Sequence, residues 1–134
     1  MIQNKIVVRY QDGKVLKGQT SDFMPARTAF HLSLNDSPAG TAPAEVQITA
    51  VKAVFFVKDF KGDPDHKEVD AFSAGRLAGG RKIKVEFKDG EVLVGTTQGY
   101  DPNRPGFFVV PADTGSNNDR CFVVAGATRA VSFI

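Results

Sequence analysis

Two segments place an aromatic ring, a proline and an arginine close together: Phe23-Met24-Pro25-Ala26-Arg27 and Tyr100-Asp101-Pro102-Asn103-Arg104-Pro105. An arginine guanidinium offers a planar fork to a phosphate or carboxylate, and a neighbouring ring supplies a stacking face. Proline restricts the backbone between them. Phe23, Arg27, Tyr100, Asn103 and Arg104 are therefore the candidate binding residues, and two such loops would make a paired surface. The plainer use of the same residues is structural. Proline then shapes a connection, the ring packs beneath it, and arginine tethers the loop to a carbonyl or a carboxylate.

Other groups offer less chemistry. His31 stands between Phe30 and Leu32 on an alternating stretch and points away from the apolar face, with no cysteine or second histidine at metal spacing. His66 sits in the acidic run Asp63-Pro64-Asp65-His66-Lys67-Glu68, which lacks the alternating oxygen ligands and central glycine of a calcium loop. No metal site and no cofactor are expected. Cys121, beside Phe122 and Val123, reads as a small buried hydrophobe, because no histidine or lysine flanks it. The Gly75–Lys82 run has the wrong spacing for a phosphate loop, and Glu86 and Glu91 flank an exposed hairpin rather than forming an acid/base pair. No catalytic residue is identified, and the chain is read as non-enzymatic.

Composition narrows the class of partner. The 134 residues carry a net charge of +2, too little for the phosphate attraction of a typical basic nucleic-acid-binding domain. A lone cysteine forms no internal disulfide and fits a reducing compartment. No apolar run approaches the roughly 20 residues that cross a bilayer, so a cytoplasmic location and no membrane partner are expected.

The elements that must position these residues come from an internal repeat. Shifted by 77 residues without a gap, Lys5–Val57 overlays Lys82–Ile134 with 18 identities over 53 positions. Matches include Asp12-Gly13 with Asp89-Gly90, Gly18 with Gly95, Pro25 with Pro102, Arg27 with Arg104 and Phe30 with Phe107. Ile6, Val8 and Tyr10, like Ile83, Val85 and Phe87, alternate with polar residues at strand period. Asp-Gly then predicts a two-residue type I′ hairpin turn. In that register Val15 faces Tyr10 on the core side, while Leu16 and Leu93 fall on the other face. Gly18 and Gly95 remove a side chain where the second strand of each copy must bend sharply or let another backbone approach. Further strands are predicted at Ala29–Leu34 and Gly106–Val110, at Glu45–Thr49 and Cys121–Ala125, and at Ala53–Val57 and Ala130–Ile134. A copy of this size is marginal alone, so the two should pack together. Between them, Asp63-Pro64 reads as the start of a short helix that Gly75 would stop.

The run DGKVLKGQTSDFMPARTAFHLSLND resembles the first motif of Sm-like proteins, with Gly13, Gly18 and Phe23, and likewise Gly90, Gly95 and Tyr100, at the family's spacing. Val46–Phe56 and Val123–Phe133 are similar to its second motif. The resemblance implies small bent barrels that associate edge to edge, the fourth strand of one beside the fifth of the next. The residues with which that family reads RNA bases are replaced here by Arg27-Thr28, Arg104-Pro105, Thr49-Ala50 and Gly126-Ala127. The expected protein is all-β: residues 1–57 and 82–134 form two tandem five-stranded Sm-like or SH3-like barrels, joined by a linker at 58–81 with a short helix. Its expected role is a non-catalytic binding or assembly module acting on protein, or on itself, through barrel edges and the Arg27 and Arg104 loops. Single-stranded RNA is the alternative partner.

Overall fold

A computed structural model describes residues 4–24, 27–35, 38, 40–58, 81–100, 103–112 and 118–134. The first copy forms β1 (Asn4–Tyr10), β2 (Val15–Thr20), β3 (Ala29–Leu34), β4 (Ala44–Gln47) and β5 (Val51–Val57). The second forms β6 (Arg81–Phe87), β7 (Val92–Thr97), β8 (Gly106–Pro111), β9 (Asn118–Val124) and β10 (Thr128–Phe133). The chain is all-β, with five strands in each copy. The short helix expected in the linker lies outside the described residues. Among these residues no helix is long and apolar enough to cross a membrane.

The strands form one antiparallel sheet in the order β10-β6-β7-β8-β9-β5-β1-β2-β3-β4. This corrects the expectation of two closed barrels: no pairing among the described residues closes either half upon itself. The reason lies in the free edge of β5, which is taken by β9 of the other copy, with Ala53 opposite Val123, Val54 opposite Phe122 and Phe55 opposite Cys121. The seam between the copies is therefore a backbone ladder of the same kind as those within each copy.

The hairpins also depart from expectation. Gly13 and Gly90 have φ of 96° and 94°, while no described non-glycine residue has positive φ, so the turn is not type I′. Tyr10 donates its N–H to Lys14 O at 2.8 Å and Gly13 donates to Tyr10 O at 3.1 Å, closing a three-residue loop with a glycine bulge. Asp12 Oδ1 accepts the Lys14 N–H, and Asp89 Oδ1 the Glu91 N–H, each at 2.9 Å; these local bonds hold the turn in that form. The extra loop residue shifts the register by one, which reverses the faces. Val15 consequently lies opposite Arg9 and is 42% exposed, whereas Leu16 lies opposite Val8 and packs against the core.

The fourth strands stop short of prediction. Ile48–Ala50 and Ala125–Ala127 wind into single 3-10 turns, closed by the N–H of Val51 on Ile48 O and of Thr128 on Ala125 O. A tight turn here lets the chain leave β4 or β9 and run back beside the first strand of its own copy.

Packing follows the duplication. Ile6 and Ile83, Val8 and Val85, Phe30 and Phe107, Leu32 and Val109, and Val46 and Val123 are buried pair by pair. Thr20 Oγ1 donates to His31 O at 2.9 Å, and Thr97 Oγ1 to Phe108 O at 2.8 Å. A side chain at Gly18 would run into Ser33 O at 2.3 Å, and one at Gly95 into Val110 O at 2.1 Å, so the close approach of the neighbouring backbone requires glycine. Both copies contribute to one continuous apolar cluster.

Candidate functional site

The loop after β2 delivers its ring to the seam. Phe23 meets Phe30 and Phe56 of its own copy at centroid distances of 5.1 and 5.4 Å, and Phe108 and Phe122 of the other copy at 6.1 and 5.1 Å. All four contacts are edge-on, the arrangement ring quadrupoles favour. Arg120 of β9 lays its guanidinium over Phe56 at 4.4 Å and Phe108 at 4.6 Å, covering the cluster from the solvent side. Phe23 is thus committed to joining the copies and is not available as a stacking platform. Arg27 is exposed, and its N–H donates to Met24 O at 3.0 Å.

The loop after β7 is used differently. Tyr100 packs edge-on against Phe107 at 4.8 Å and Phe133 at 6.0 Å. It borders an open groove of about 470 Å³ together with Arg104, Thr97, Phe107, Phe108 and Phe122. The structure therefore brings Tyr100 and Arg104 together, whereas Phe23, Arg27 and Asn103 do not line this groove; residues 25–26 and 101–102 of the two loops lie outside the described residues. Gly106 gives the groove its floor: a Cβ there would meet the Phe122 ring at 2.6 Å and Val123 O at 2.3 Å.

A charged clamp fastens the far end of the seam. Lys52 of β5 reaches Asp89 at 2.8 Å and Glu91 at 2.7 Å, both on the β6–β7 hairpin, with its ammonium 4.7 Å from the Phe87 ring centroid. Burial alone pushes the lysine pKa down, but the hydrogen bonds that Lys52 donates to both carboxylates outweigh it and hold the pKa above its ordinary value. The same hydrogen bond from Lys52 holds the Asp89 carboxyl low. Cys121, also on the seam, is fully buried and its thiol pKa is pushed far up by burial, so it is no nucleophile.

His31 is exposed and polar-bound: its Nδ1 lies 2.8 Å from Asp22 Oδ2, and its N–H donates to Asp22 Oδ1 at 3.0 Å. Burial pushes the Asp22 carboxyl up, yet the bonds from His31 and Thr20 prevail and hold it low. No group of three or more His, Cys, Asp or Glu side chains that could hold a metal occurs among the described residues.

The sheet's two outer strands are the counterparts of the two seam strands, since a 77-residue shift carries β5 onto β10 and β4 onto β9. Phe56 is 5% exposed and Val57 8%, but their equivalents Phe133 and Ile134 are 39% and 62% exposed. Ala53 is buried and Ala130 exposed; Phe122 is buried and its equivalent Glu45 exposed. The ends of the sheet thus present, uncovered, the two surfaces that the seam buries.

Motif reasoning missed Lys52, Asp89, Phe108, Arg120 and Phe122. A signal for them was present in the repeat alignment, at positions where one copy is apolar and the other polar: Phe108 against His31, and Phe122 against Glu45. Such divergence within a duplicated core marks a surface that only one copy buries.

No curated protein and no solved structure matches the chain. A family model, DUF6982, described as a family of unknown function, matches residues 2–134 and so takes in both repeats and the seam between them; the chain belongs to that family.

Proposed function

We propose that the chain is a non-catalytic assembly module that binds protein through its open sheet edges. Its first partner is a second copy of itself, added head to tail with β10 of one chain beside β4 of the next. The observation that carries this reading is the contrast between the β5–β9 seam and the sheet ends: equivalent residues are buried in one and exposed in the other. A head-to-tail contact of this kind repeats into a ring or a filament. The loops carrying Arg27 and Arg104 belong to the same reading as candidate contact residues.

The backbone supports it. Ile134 donates its N–H to Lys82 O, so alternation turns the N–H of Val131 and Phe133 to the open side of β10. Ile48 donates to Thr28 O, which likewise leaves Glu45 and Gln47 facing outward from β4. Light scattering over a concentration series should show a mass rising above the 14.4 kDa of one chain. Val131→Pro and Glu45→Pro, which each delete an outward N–H, should hold the mass at that of the monomer while leaving the circular dichroism spectrum intact. A wild-type chain that stays monomeric at every concentration would defeat the proposal.

A second reading, binding of single-stranded RNA, is favoured by the groove that joins Tyr100 and Phe107 to Arg104. It predicts oligonucleotide affinity that falls steeply with salt and is lost on Arg104→Ala. Affinity that is absent or indifferent to salt would remove this reading.

A further inference from the structure

We infer that the next copy is locked onto β10 by a repetition of the Lys52 clamp, with Arg129 paired to Asp12 of the next copy above its Tyr10 ring. This inference rests on the self-assembly reading and adds the side chains that fix its register. The step that relates the first copy to the second, applied once more, carries Lys52 to Arg129, Asp89 to Asp12 and Phe87 to Tyr10. A cation, a carboxylate and an aromatic ring therefore recur at the three places that make the clamp inside the chain. Arg129 is exposed and already oriented by Glu86, its in-chain partner.

The same step says how the outer contact differs from the inner one. Glu91, the second acceptor of Lys52, becomes Lys14, so the outer clamp has a single carboxylate. Phe108 and Phe122, which Phe23 touches, become His31 and Glu45, and Phe23 itself becomes Tyr100, whose hydroxyl can donate to the Glu45 carboxylate. Arg120 becomes Pro43, which has no N–H and ends the ladder early. Polar groups stand where the free chain must meet water, so the outer contact is weaker than the seam, reversible and sensitive to salt.

Sedimentation equilibrium tests this with charge variants. Arg129→Glu and Asp12→Lys should each weaken self-association at least tenfold, as should Asp12→Asn, which keeps the turn's acceptor but loses the charge. In an equimolar mixture of Arg129→Glu and Asp12→Lys every contact between unlike chains pairs opposite charges, so alternating copies should regain the association that each variant loses alone. Glu86→Gln, which only releases Arg129, should leave association as tight or tighter. If the wild type assembles while these charge variants assemble equally well, the clamp is wrong and the edge reading stands. A wild type that does not assemble sinks both.

Discussion

Lys52 shows how a charged residue can join two copies of one fold. Its stem lies against Phe87 and its ammonium bridges two carboxylates on the opposite hairpin. The pH dependence follows from the shifts. Asp89 has a folded pKa below its unfolded value near 3.8, so its contribution is complete above that value and is lost as pH falls through the folded one. Lys52 has a folded pKa above 10.5, so its contribution is complete below that value and is lost as pH rises through the folded one. Lys52→Met keeps the apolar stem and removes the charge. It should lower Tm by about 4 °C at neutral pH, and the difference from wild type should shrink as pH falls through the lowered pKa of Asp89. A difference that is the same at pH 7 and pH 2.5 in thermal melts would show that packing, not charge, is what Lys52 supplies.

At the scale of single elements, the repeat fixed most of what is seen. Alternation located β1 and β6, and the mid-strand glycines of β2 and β7 proved necessary because a carbonyl occupies the place of a side chain. Turn type was not legible, because Asp-Gly suits both a two-residue turn and a three-residue loop with a glycine bulge, and only the closing hydrogen bonds choose between them. That choice sent Val15 to solvent. β8 carries a further constraint that the first copy lacks. Ala29 occupies the position of Gly106, and the residue equivalent to Phe122 in the first copy is Glu45, with no ring. Gly106→Ala should therefore destabilise the fold by about 2 kcal/mol in urea unfolding, since its Cβ would press on Val123 O and the Phe122 ring. An unchanged midpoint would mean that β8 and β9 separate easily, contrary to their ladder from Gly106 opposite Val124 to Val109 opposite Cys121.

The whole molecule is a ladder whose middle rung repeats at its ends. Covalent linkage makes β5 and β9 neighbours at high effective concentration, so the inner seam forms within the chain and tolerates a large cluster of rings. The outer strands bear the cost of being exposed in the free chain, and their Glu45, Gln47 and Pro43 blunt the edge in the manner of other exposed strands. Assembly through such an edge needs a register signal, which the Arg129 and Asp12 pair supplies in the proposal above. In the proposed assembly such a chain would gain a binding surface from geometry it already uses internally.

The sequence by itself determined the all-β class, the duplication, the buried pairs and the places where glycine is required, because period, repetition and small residues are local properties. It also marked Tyr100 and Arg104 as neighbours in one loop. The pairing of β5 with β9 is the fifth-to-fourth contact that the resemblance implied; only the tertiary structure decided that neither half would close into a barrel, that Phe23 would be consumed by the seam, and that Lys52 would find Asp89. Those outcomes depend on which of several compatible strand edges meet, and backbone hydrogen bonds are alike at every edge. Choice among them is made by side chains that are distant in sequence and become neighbours only once the sheet has formed.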